Sequence, residues 1–238
     1  MNIFAVASGK GGVGKSCVAA YTAAALTAMG KRVLLIEPGF GFRALDLILG
    51  VQDDVLFDLS DVLQVRCDIQ KAIIKIPHWK GLFLLPGPPA PLLNLMERGQ
   101  LEWLLELLSK EYDALIVDDV DFRHVSVDVF NTIMQVVTPD SLTVRAVAMH
   151  NIALTCPEQA RLIINNVPAR ILPMHNIRDF DDIIDMVGAR LIGVIPHSPS
   201  LQYSANNAIP LNDGSLTLDV FNNIAARLMG QNRKLLVR

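Results

Sequence analysis

Short, nearly continuous apolar runs alternate along the chain with stretches whose apolar residues recur at helical spacing. The runs are Ile3–Ala7, Val33–Ile36, Leu82–Leu85, Ala114–Val117, Met134–Val137, Leu162–Ile164 and Leu191–Ile195. None shows the strict alternation of a half-exposed strand, so they predict strands covered on both faces. Ser16–Met29 is an alanine-rich helical stretch with Gly30 as its stop. Leu101, Leu104, Leu105 and Leu108 follow the i, i+3, i+4, i+7 pattern, as do Phe180, Ile183, Ile184 and Val187 between an Asp179 N-cap and a Gly188 C-cap. Leu218, Phe221, Ile224, Ala225 and Leu228 mark a last amphipathic helix ending near Gly230. Trp103 and Leu107 widen the apolar stripe of their helix; a broadly buried helix is the preferred reading and a partner-binding face the alternative.

Such alternation specifies an α/β fold: a mainly parallel twisted sheet with helices on both faces, in three layers. Ligands in such folds bind at the carboxyl ends of the strands. The Pro-rich segment Pro86–Pro91 directly follows a strand and is expected in a loop on that face.

The 238 residues, 51% apolar and 19% charged, supply a substantial core and exclude a disordered chain. A net charge of −3 leaves no general basic field for nucleic acid. No apolar run reaches the roughly 18–20 residues of a membrane span. No secretory signal is expected at the start, because Met1–Ser8 runs straight into a Gly/Lys-rich loop. The three cysteines, Cys17, Cys67 and Cys156, lack CxxC spacing; they fit a reducing cytoplasm and argue against a disulfide framework, zinc site or iron–sulfur cluster.

The strongest chemical signal is Gly9-Lys-Gly-Gly-Val-Gly-Lys-Ser16, lying between the first strand and the first helix. It satisfies G-x-x-x-x-G-K-[ST] in the required context. Gly11, Gly12, Val13 and Gly14 present backbone N–H groups to a polyphosphate, and the helix N-terminus adds its dipole. Lys15 is expected on the β- and γ-phosphates and Ser16 on Mg2+, with Cys17 packed beside them. A Cys17 thiolate at a helix N-terminus would have enhanced reactivity if exposed. Taken alone, Lys10 reads equally as a solvated lysine or as a second phosphate ligand.

Lys10-Gly-Gly-Val-Gly-Lys-Ser16 resembles the deviant Walker A motif of the MinD/ParA ATPases, whose hallmark is that first lysine. Gly41-Phe-Arg-Ala-Leu-Asp-Leu-Ile-Leu-Gly50, Asp58–Leu63, Ala72–Lys75, Leu82–Pro86, Val137-Thr-Pro-Asp140 with Val144-Arg145, and Leu191-Ile-Gly-Val-Ile-Pro196 extend the likeness to about Gly230. They are more similar to the MinD branch than to the DNA-segregating ParA branch. The resemblance implies one P-loop NTPase domain over residues 1–230, with a short basic tail at 231–238. It implies binding of ATP or ADP with Mg2+, an ATP-state homodimer in which Lys10 reaches the partner's nucleotide, and protein partners of the division or positioning machinery. Lys10, Lys15 and Asp118 would serve hydrolysis, and Asp118 would act on Mg2+ through water. Asn165 stands at the family's adenine-side asparagine, and the loop after Pro196, including His197, at the adenine wall. Location in the cytoplasm, or peripherally at the inner membrane, follows from the same likeness.

Departures from the family pattern fall at the hydrolytic machinery. The family's Asp-x-Asp is Glu37-Pro38-Gly39 here, so the water-orienting acid is absent and Gly39→Asp is expected to raise turnover. Asp118-Asp-Val-Asp-Phe122 lacks the glycine that senses the γ-phosphate. Asp119 and Asp121 are either a solvated acidic loop or substitutes for the missing acid. The tail has three basic and three apolar residues, too little for firm membrane anchoring, and reads as a frayed basic terminus. Three functions therefore compete: an ATP-hydrolysing dimerisation switch, a nucleotide-holding scaffold with little turnover, and a small-molecule P-loop phosphotransferase.

Overall fold

Every residue of the central strands is buried, the consequence of helices covering both sides of the sheet. The computed structural model describes residues 2–89, 99–150, 152–169, 177–211 and 214–236. Among them the order is β1 (Ile3–Ala7), α1 (Lys15–Ala28), β2 (Val33–Ile36), α2 (Leu45–Leu49), α3 (Leu59–Leu63), α4 (Ile69–Ala72), β3 (Ile74–Lys75), β4 (Leu82–Leu85), α5 (Gln100–Leu108) and β5 (Ala114–Val117). There follow β6 (Thr132–Val137), α6 (Ser141–Met149), α7 (Ile152–Thr155), β7 (Ala160–Val167), α8 (Phe180–Val187), β8 (Arg190–Pro196), α9 (Pro199–Asn206) and α10 (Leu216–Leu228).

The sheet runs β3-β4-β2-β5-β1-β6-β7-β8. All neighbours are parallel except β3 and β4. The predicted parallel sheet is therefore present. β1 lies between β5 and β6, so the loop leaving β1 opens at the centre of the carboxyl edge, where α/β folds place ligands.

Two apolar layers flank the sheet. Leu101, Leu104, Leu105 and Leu108 of α5, with Val144 and Ile183, pack on one face. On the other, Ala19, Ala23 and Leu26 of α1 and Phe221 and Ile224 of α10 cover Phe4, Val6 and Leu35. Alanines let α1 lie close to the strands. Gly193 does the same for α10, since a Cβ there would stand 2.5 Å from Ile224 Cδ1.

Two expectations are corrected. Trp103 is 65% exposed and Leu107 37% exposed, because the four leucines already fill the contact of α5 with the sheet and the other two side chains lie one row outward. The tail is not simply frayed: the buried Asn223 side chain donates to the Lys234 carbonyl at 2.9 Å, and Leu236 packs against the α1/α10 layer. Among the described residues no helix is long and apolar enough to cross a membrane.

Candidate nucleotide-binding site

The loop from Gly9 to Gly14 folds back because two of its glycines take left-handed backbone, Gly12 at φ 78° and Gly14 at φ 91°. Gly14 is the N-cap of α1 and provides no side-chain cap, and the first turn holds no acidic residue. The helix thus presents uncapped N–H groups and an undiminished positive dipole to the carboxyl edge of the sheet. Asn165, on β7, is nearly buried and donates from Nδ2 to the Val13 carbonyl at 2.8 Å. A Cβ on Gly14 would lie 2.4 Å from that Nδ2, so glycine is required there by both dihedral and space. A Cβ on Gly9 would meet the Ala146 carbonyl at 2.4 Å, so α6 closes the other flank of the loop.

Lys15 is largely buried, with Nζ 3.2 Å from Asp119 Oδ1 and 3.4 Å from the Lys10 carbonyl. Lys10 is exposed. Behind them Asp118 is almost fully buried at the end of β5. Burial, reinforced by Glu37 and Asp119, pushes its carboxyl up to about 7 against the opposing hydrogen bond from Ser16 and the charge of Lys15. Its Oδ1 has no hydrogen-bond partner. A buried carboxyl with one orphaned oxygen, bonded to the Ser16 hydroxyl, is a donor set suited to a hard divalent cation. Cys17 is driven the opposite way from reactivity: burial, with the Asp118 charge, pushes its thiol up to about 12.

Glu37 has a role the sequence did not reveal. Its Oε1 accepts N–H bonds from Ala44 at 2.8 Å and Leu45 at 2.9 Å, capping α2, whose own N-cap, Ala44, has no side-chain acceptor. Burial still raises its pKa, offset in part by these N–H groups and by that of Gly87. Gly39 has φ 86°, and a Cβ on it would stand 2.8 Å from Pro88 Cδ. Gly39→Asp is therefore strained, correcting the expectation of a simple gain in turnover. Gly87 and Pro88 do border the site as expected; residues 90–91 of that segment lie outside the described residues.

The two other acids separate cleanly. Asp121 is forked by Arg123, whose Nε lies 2.9 and 3.0 Å from its oxygens, and the Arg123 guanidinium holds that carboxyl below the usual range. Asp119, at φ 51°, faces Lys15, with its Oδ2 where a Cβ on Gly41 would collide at 2.5 Å.

Clefts open on both sides of the loop. One of about 730 Å3 is bordered by Lys10, Lys15, Asp119 and Gln135. Gln135 is buried with an unpartnered Nε2, and its signal was a lone amide inside an apolar strand. The other, about 380 Å3, is bordered by Gly12, Gly14, Cys17, Asn165, Pro196 and Gln202. The segment after Pro196 is helix α9, not loop, started by the Ser198 cap and Pro199. His197 is not among the residues lining that cleft; its Nδ1 lies 2.8 Å from Asn166 Oδ1.

A phosphate loop at the centre of a mostly parallel sheet, backed by a buried acid, defines a P-loop nucleotide-binding domain, and residues 4–211 match the CobQ/CobB/MinD/ParA nucleotide binding domain. The chain belongs to that family. Within it the likeness is to MinD: the septum site-determining protein MinD of Synechocystis is 34% identical, over 97% of this chain and 90% of its own length. MinD of Bacillus subtilis is 27% identical over 95% of this chain and 88% of its own. Among solved structures, a MinC:MinD cell division protein complex of Aquifex aeolicus superposes with a TM-score of 0.85 at 27% identity, covering 100% of this chain and 99% of that one. MinD of Pyrococcus horikoshii complexed with Mg-ADP has the same fold, with a TM-score of 0.79 at 24% identity, covering 95% of each chain.

Proposed function

We propose that the chain is a MinD-like ATP-binding dimerisation switch in division-site selection, with weakened hydrolysis. The carrying observation is the loop itself: left-handed Gly12 and Gly14, an uncapped helix start and a buried Lys15 converge at one point. Backbone N–H groups of Gly11 to Ser16 hold the β-phosphate, and Lys15 reaches the β- and γ-phosphates. Ser16 and Asp118 hold Mg2+, which when bound neutralises charge on the phosphate oxygens. The base lies in the cleft bordered by Asn165 and Pro196, with His197 bracing Asn166 from outside. The Mg-ADP in the Pyrococcus protein supports this ligand.

Exposed Lys10 is suited to reach a second copy in the ATP state. The partner class is the division machinery, a reading supported by the MinC:MinD complex of Aquifex. The domain comprises residues 1–230, and the tail at 231–238, held at Lys234 by Asn223, gives weak or no membrane binding. A cytoplasmic location and no nucleic-acid partner belong to the same reading. With no carboxylate at Gly39 and Asp121 held by Arg123, little in the site orients an attacking water. That favours, as the second reading, a nucleotide-holding scaffold of the same family.

Sedimentation with Mg-ATP or Mg-ADP, with phosphate release followed in parallel, separates these. The wild type should dimerise with ATP alone and release phosphate slowly. Lys15→Ala should lose nucleotide binding, whereas Lys10→Ala should bind and remain monomeric. A Lys10→Ala protein that dimerises normally refutes the cross-subunit role, and a wild type that stays monomeric with bound ATP refutes the switch.

A further inference from the structure

The family motif gives Lys15 to the nucleotide, yet in this chain a carboxylate already occupies that lysine. Lys15 Nζ is 3.2 Å from Asp119 Oδ1, and the ammonium is largely buried while Asp119 is 43% exposed. The contact is built into the backbone. Asp119 sits at φ 51°, a region that non-glycine residues rarely adopt and that Asn and Asp tolerate best. Gly41 leaves the space its Oδ2 fills. Arg123 removes the neighbouring Asp121 from competition by binding both its oxygens.

We propose that Asp119 is an internal counter-ion to Lys15 that the terminal phosphate of ATP must displace, making it a specificity-determining residue that penalises triphosphate relative to diphosphate. The inference rests on the nucleotide-binding reading above. A β-phosphate seated in the loop's N–H cup shares Lys15 with Asp119, since the ammonium carries three donors and the pair need not break. A γ-phosphate takes Lys15 and brings further negative charge beside Asp119, which adjoins the buried carboxyl of Asp118. Asp119 thereby sets how much ATP is needed before the site fills with triphosphate.

The test is calorimetry of Mg-ATP and Mg-ADP on the wild type, Asp119→Asn and Asp121→Asn. Asparagine keeps the left-handed backbone and the size of the side chain while removing the charge. Asp119→Asn should tighten ATP by about tenfold, the scale of one partly exposed charge acting a few ångströms away. ADP should change less than about threefold, and Asp121→Asn should leave both within about twofold. If Asp119→Asn does not fold, Asp119→Gly meets the same backbone demand and carries the same expectation. Unchanged or weakened ATP affinity in the folded variant, with normal binding by the wild type, overturns the counter-ion role and leaves the proposed function standing. If no protein binds either nucleotide, both fall.

Discussion

Asn165 and Gly14 should behave as one energetic unit. Gly14→Ala places a non-glycine residue at φ 91°, at about 1–2 kcal/mol. It also puts a Cβ 2.4 Å from Asn165 Nδ2, which must move and lose its 2.8 Å bond to the Val13 carbonyl. With both partners buried, that loss costs about 1–3 kcal/mol. The single change should therefore destabilise by roughly 3 kcal/mol. Asn165→Ala loses only the bond, at about 1.5–2 kcal/mol. In the double variant the collision is gone and the bond is lost once, so the total should stay near 3 kcal/mol rather than the sum of about 5. Urea unfolding of the four proteins, followed by circular dichroism, measures the cycle, with equal m-values confirming comparable transitions. A coupling of about 1.5–2 kcal/mol is expected; additivity within about 0.5 kcal/mol would show that Asn165 does not constrain the loop through Gly14.

Asp140 caps α6, and hydrogen bonds from Thr138 and Thr143 outweigh burial to hold its carboxyl below the usual range. A lowered folded pKa makes this stabilisation complete at neutral pH and loses it as pH falls below about 4. Asp140→Asn should thus lower the unfolding midpoint at pH 7 by the equivalent of about 1 kcal/mol, with the gap to wild type closing below about pH 4; a gap that widens in acid contradicts the assignment. Gly39→Asp should lose stability without gaining phosphate release, because its Cβ meets Pro88 at 2.8 Å. Turnover should rise only when Pro88→Ala is added, so faster phosphate release by the stable single variant counts against the steric account.

What was legible in the sequence follows from what carries a repeating signal. Seven strands were readable because a strand covered on both faces is apolar over most of its length and lacks polar alternation, and the phosphate loop because its glycines, lysine and serine form one contiguous motif. β3 is two residues long, and α2, α3 and α4 at most five, too short to show a period. α6 was obscured because Leu142 and Met149 are exposed and blur its stripe. At the site, the missing acid at Gly39 was visible as an identity, but its surroundings were not. Pro88 reaches Gly39 only through the sheet, which pairs β2 with β4 and so sets the two following loops side by side. The acids 118–121 show the same limit most sharply. Three residues apart at most, they read as one charged loop, whereas the backbone assigns them three electrostatic fates: Asp118 buried against Ser16, Asp119 turned by a left-handed φ onto Lys15, and Asp121 held by Arg123. Charge at a phosphate site is governed by which cation each carboxylate meets, and that is decided by dihedral angles and strand order, to which composition is blind.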